Sequence, residues 1–104
     1  MDIHVSNEFH QICPNFIGGA ILAEGSNCAT TSELWQEIER IAQVLKNSYT
    51  TDTIKNHSGI AATREAYKRA GKDPSRYRPS AEALRRRLLR GLELYQIDTL
   101  VDLI

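Results

Sequence analysis

Between residues 64 and 90 the chain carries ten basic side chains, Arg64, Lys68, Arg69, Lys72, Arg76, Arg78, Arg85, Arg86, Arg87 and Arg90, against three acids, Glu65, Asp73 and Glu82. That window has a net charge of +7, although the 104 residues together hold 13 basic and 13 acidic groups and are neutral. The remainder is acidic by the same amount. Segregation of this kind suits phosphate binding, because every phosphate neutralised by the protein releases condensed counterions. Arginine dominates the set, and its planar fork matches a phosphate where lysine offers only a point charge. Lys68, Arg69, Lys72, Arg76, Arg85, Arg86, Arg87 and Arg90 are the candidate RNA-contacting residues. The competing reading is internal neutralisation, with the arginines paired to Glu33, Glu37, Glu39 and Glu93.

Other residue types capable of chemistry are isolated. His4, His10 and His57 lack metal-ligand spacing. Cys13 and Cys28 have no CxxC spacing and are read as thiols of a reducing cytoplasm, with a disulfide left open. Ser58 and Gly59 lack the flanks of a nucleophile elbow. Residues 16–19, Phe-Ile-Gly-Gly, match neither GxxxxGK[ST] nor GxGxxG. No catalytic residue, metal or cofactor is assigned. Tyr77, between Arg76 and Arg78, could stack on a base, but its expected task is to pin a proline loop to the core.

The elements that must position the basic residues are helical. Residues 58–70 offer Ile60, Ala61, Ala66, Tyr67 and Ala70 for packing, and Gly71 stands where a C-terminal cap glycine belongs. The loop 72–79 holds Pro74 and Pro79, which preset the backbone and deliver the next helix at a fixed angle. Ser80 is the expected N-cap of that helix, which buries Ala81, Leu84, Leu88 and Leu89 up to Gly91. Arg78, pushed out of helical conformation by Pro79, is expected to reach back to the carbonyls ending the preceding helix. Eight residues between the two helices are too many for a helix-turn-helix.

Upstream, Thr30, Thr31, Ser32 and Glu33 fit a capping box, after which Leu34, Trp35, Ile38, Ile41, Ala42 and Leu45 recur at helical spacing to about Asn47. Residues 48–58 read as a polar connector. Two strands are expected nearer the N-terminus: 3–9, which alternates loosely, and 16–23, an apolar run between Pro14 and the Gly25-Ser26-Asn27 turn. A last helix starts at Asp98 or Thr99. The expected fold class is α+β, with short N-terminal strands followed by three to four helices.

Three strings stand out together: Ala66-Tyr67-Lys68 with Gly71; Asp73-Pro74-Ser75 with Tyr77-Arg78-Pro79-Ser80, Glu82-Ala83-Leu84 and Arg86-Arg87; and Ile97 with Leu100-Val101-Asp102-Leu103. This pattern resembles the stand-alone bacterial proteins built on the B-three/B-four domain, the tRNA-editing unit of the phenylalanyl-tRNA synthetase beta chain. The likeness spans the whole chain, which is read as one incomplete domain, residues 1–104, forming the N-terminal portion of a B-three/B-four-type domain. The resemblance implies a tRNA-associated protein. Full-length relatives are implied to hydrolyse mischarged aminoacyl-tRNA, with a pocket built largely from residues that follow the Leu-Val-Asp-Leu segment. None of those positions is present, so no catalytic residue carries over, and the chain is expected to act as an RNA-binding scaffold.

The alternative is a non-enzymatic structural or protein-interaction module that self-associates. Leu100, Val101, Leu103 and Ile104 form an apolar C-terminal segment expected to be covered by a second copy in a homodimer. No run approaches the ~20 apolar residues that span a bilayer, and residues 1–4 lack the basic, apolar pattern of a signal peptide. A cytoplasmic location with no membrane partner is expected.

Overall fold

The computed structural model describes residues 1–104, and its regular secondary structure is all helix. Helix α1 spans Asn7–Ile12, α2 Ser32–Ser48, α3 Ser58–Arg69, α4 Ser80–Leu89 and α5 Thr99–Leu103, with a 3₁₀ turn at Ile54–Asn56. The α+β expectation is thereby corrected: neither N-terminal strand forms. Residues 7–12 wind into a helix instead, because the Ser6 hydroxyl accepts the Phe9 N–H and caps it. Residues 16–23 take no regular structure: a strand exists only through a ladder to a neighbour, and no backbone N–H or C=O from residue 17 to 26 meets another backbone group.

The four later helices lie where the residue pattern puts them, with altered caps. Thr31, not Thr30, caps α2 by accepting the Leu34 N–H, and so Glu33 falls one position short of the reciprocal arm of a capping box. Thr30 is occupied elsewhere, donating its hydroxyl to Asp102. Pro79 takes the N-cap of α4 and Ser80 becomes its first helical residue, without a side-chain cap. Gly71 ends α3 at φ +77°, and the bonds from Gly71 N to Lys68 O and from Lys72 N to Tyr67 O close a Schellman motif. Gly91 ends α4 in the same way at φ +81°.

The core sits where the 3₁₀ turn packs on α3 and α4 while α2 packs on α4. Ile54 and Ile60 fill it, with Ala42 from α2 and Pro74 from the proline loop also buried. Trp35, Ile38 and Leu45 are only half-buried, as is Tyr67. Phe9 holds Phe16 edge-to-face at 5.1 Å, which fixes the start of the 16–23 segment beside α1. The whole forms a slab of 44 × 39 × 19 Å. No helix is long and apolar enough to cross a membrane.

Candidate nucleic-acid interface

The basic arm formed by α3, the proline loop and α4 is organised around one carboxylate. Glu82 is wholly buried on the inner face of α4, where an unpaired charge would be untenable. Arg64 from α3 donates to both its oxygens at 2.9 and 3.1 Å, and Arg86, one turn along α4, donates to Oε1 at 2.9 Å. The same guanidinium groups reach further: Arg64 donates to Ser75 Oγ at 3.1 Å and Arg86 to the Thr51 carbonyl at 2.7 Å. One acid thus joins α3, the proline loop, α4 and the turn after α2. Burial pushes its carboxyl upward, but the hydrogen bonds and charges of Arg86 and Arg64 outweigh this and hold it below the usual carboxylate range.

Arg78 turns forward to Glu82, with Nε 3.7 Å from Oε1 and no hydrogen bond of its own, and does not return to the end of α3 as expected. Its position before Pro79 keeps it outside α4, one turn before Glu82, so the carboxylate is the nearer counter-charge. Arg86 must likewise be withdrawn from the set of free phosphate ligands, since its fork is committed to Glu82 and Thr51.

The consecutive Arg85, Arg86 and Arg87 do not make a single basic face. At about 100° per residue, Arg86 points inward and its neighbours leave on opposite flanks of α4. Arg85 has no acidic partner within 4.0 Å, and the same holds for Arg87, Arg90, Lys68, Lys72 and Arg76. Arg69 lies 3.9 Å from Glu65, one turn away on an exposed surface, which leaves its charge largely solvated. Internal neutralisation by the acidic remainder does not occur. Glu37 pairs with Arg40 of its own helix, Arg87 takes the Glu93 carbonyl rather than its carboxylate, and no basic-arm arginine meets Glu33 or Glu39.

Two exposed tyrosines stand among these cations. Tyr77 is 47% exposed, with Lys72 Nζ at 5.2 Å and Arg76 Cζ at 5.3 Å from its ring centre. It does not pin the loop to the core, because buried Pro74 and the Arg64–Ser75 bond already do so. Tyr95, 68% exposed, carries Arg87 at 4.4 Å. Sequence reasoning missed Tyr95 altogether, and its only signal was position: four residues beyond the glycine that turns the chain back past Arg87.

The remaining groups with chemical potential are scattered. Cys13 is buried and Cys28 exposed, both as free thiols. His57 packs beside Tyr49 at 5.7 Å. No three His, Cys, Asp or Glu side chains gather into a group able to hold a metal ion. Comparison with protein-family models, curated proteins and solved structures yields no match.

Proposed function

We propose that this chain is a tRNA-associated RNA-binding module, a scaffold that holds phosphates and unpaired bases without itself performing hydrolysis. The observation that carries the reading is the set of six cations, Lys68, Lys72, Arg76, Arg85, Arg87 and Arg90, left without acidic partners in a chain that has enough acids to neutralise them all. Keeping like charges together on one arm costs self-repulsion, which an anionic ligand relieves. The Glu82 network makes the arm stiff, so that little ordering entropy is lost on binding.

Tyr77 and Tyr95 favour RNA with unpaired bases over a uniform duplex. Each is exposed and neighboured by cations, which suits stacking beneath a base while the cations meet its phosphates. The choice of tRNA among such RNAs rests on the resemblance of residues 62–104 to the B-three/B-four pattern.

Competition against a labelled tRNA tests the proposal. Unlabelled tRNA is expected to displace the probe at least tenfold more effectively than duplex DNA of equal phosphate content, and Tyr77→Ala and Tyr95→Ala are expected to narrow that margin. Equal competition by the duplex would reduce the activity to charge alone, and no binding at 50 mM salt would end the RNA reading.

A further inference from the structure

Three arginines surround Glu82, and two of them account for all its bonding. Arg64 and Arg86 supply the three hydrogen bonds to the carboxylate, and each directs a further donor to a neutral oxygen of Ser75 or Thr51. Arg78 supplies none. Its Nε is buried without a partner, 3.7 Å from Oε1 and so beyond hydrogen-bond reach. A guanidinium offers five donors and no acceptor, and a buried donor left unmade is costly enough to need a reason. The Arg78 side chain is 31% exposed, against 15% for Arg64 and Arg86, which makes it the outermost of the three and open to a ligand.

Charge gives the sign and the size of that ligand. Three guanidinium groups against one carboxylate leave the hub with a net charge of +2, and no second acid lies within 4.0 Å of Arg64, Arg78 or Arg86. Glu82 is satisfied by two arginines, so the third adds like-charge repulsion to the fold and no hydrogen bond. It is nevertheless well placed. Pro79 restricts the backbone of Arg78, and buried Pro74 with the Arg64–Ser75 bond fixes the loop that carries it. A cation held in this way binds an anion with little loss of freedom.

We propose that Arg78 binds a terminal phosphate, the 5′-phosphate of an RNA chain. A phosphomonoester carries about two negative charges at neutral pH, which matches the excess on the hub, whereas each internal phosphodiester carries one. The free oxygens of a monoester accept two parallel hydrogen bonds from a planar guanidinium, a geometry that a lysine lacks. In tRNA the phosphorylated terminus is the 5′ one. Lys72 and Arg76, neither with an acidic partner, precede Arg78 on the same loop and offer positive charge to the nucleotides that follow the terminus. The inference rests on the RNA-binding reading and adds to it the part of the RNA that the proline loop takes.

Affinities for one tRNA prepared with a 5′-phosphate and with a 5′-hydroxyl test it, in the native chain, Arg78→Gln and Arg85→Gln. The native protein is expected to favour the phosphorylated form at least tenfold. Arg78→Gln is expected to bring the two forms within twofold of each other, whereas Arg85→Gln should weaken both alike and keep their ratio. Arg78 makes no hydrogen bond that the substitution would remove, and far-UV circular dichroism verifies the fold of the variant. A second readout needs no variant: the Arg78 Nε–H resonance of the native chain should shift on adding the 5′-phosphorylated RNA and stay in place with the 5′-hydroxyl form. Equal affinity of the native protein for both forms would overturn the terminal phosphate while leaving RNA binding intact. A preference that survives Arg78→Gln would overturn the assignment to Arg78. Inorganic phosphate that saturates the Nε–H shift at micromolar concentration would overturn the RNA end as its source. Failure to bind either tRNA at low salt would remove the RNA reading and this inference together.

Discussion

Replacing Glu82 by glutamine removes one charge and almost no volume, which isolates the electrostatic role of the hub. In the native protein its two oxygens receive three hydrogen bonds from Arg64 and Arg86, with Arg78 Nε a further 3.7 Å away. A glutamine retains one acceptor oxygen but turns an amide toward guanidinium groups that can only donate. Breaking a buried ion pair from one side costs about 3–5 kcal/mol, because the surviving charge is left uncompensated. The relevant comparison is the total stability of a domain of this size, about 5–15 kcal/mol. With six buried residues this chain belongs at the lower end. The expected outcome for Glu82→Gln is therefore a fall in unfolding midpoint of at least about 12 °C, and partial unfolding at 37 °C. Urea titration followed at 222 nm reads the change directly, provided the m-value is unaltered. The depressed carboxyl pKa supplies a second signature. A group depressed on folding stabilises the native state above its unfolded pKa, near 4.3, and loses that contribution as pH falls through the folded value. The native protein should therefore weaken steeply below about pH 4, and the glutamine variant should lack that component. A loss below about 1 kcal/mol, or an unchanged acid limb, would refute the hub.

Three further expectations follow from local geometry. Gly91→Ala places a Cβ at φ +81° and should destabilise by about 1 kcal/mol through backbone strain alone, since nothing lies within 4 Å of the new atom; thermal melts of the single variant measure it. Thr31→Ala removes the α2 cap at a cost of about 1 kcal/mol, whereas Thr30→Ala should leave α2 intact and loosen α5, seen as faster amide exchange at Thr99 and Leu100. Asp98→Asn should abolish the depressed carboxyl that the Val101 N–H and Asn27 hold below its ordinary value, and a carboxyl titration by NMR should show that one group missing from the acidic range.

Much of the helical architecture is legible in the residues. The Leu34-to-Leu45 stripe, the cap glycines Gly71 and Gly91, and Asp98 before a short apolar run each encode their structure within one or two turns. What was not legible depends on groups far apart in the chain. Residues 16–23 carry the pattern of a buried strand, but the pattern specifies burial and not the presence of a neighbour to pair with. Thr30 and Thr31 are equivalent as caps until Asp102, 72 residues away, claims the first. The candidate interface divided in the same manner. The charge count identified the arm, yet its triple arginine could be sorted only once Glu82 was known to be buried and to draw Arg86 inward. A local hint was present, since Glu82 is the lone acid of α4 and has arginines four residues before and after it.

The separation of structural from free arginines is tested most directly by a salt titration of tRNA affinity. Three proteins are compared between 50 and 200 mM salt: the native chain, Arg85→Gln/Arg87→Gln/Arg90→Gln, and Arg86→Gln. The native chain should lose affinity steeply, as counterion release by several phosphate contacts requires. The triple variant should keep its unfolding midpoint and lose about three contacts from the slope, whereas Arg86→Gln should melt early and, at a temperature where it remains folded, bind with the native slope. A triple variant that binds tRNA with the native slope would contradict the assignment of α4 as a phosphate-contacting element.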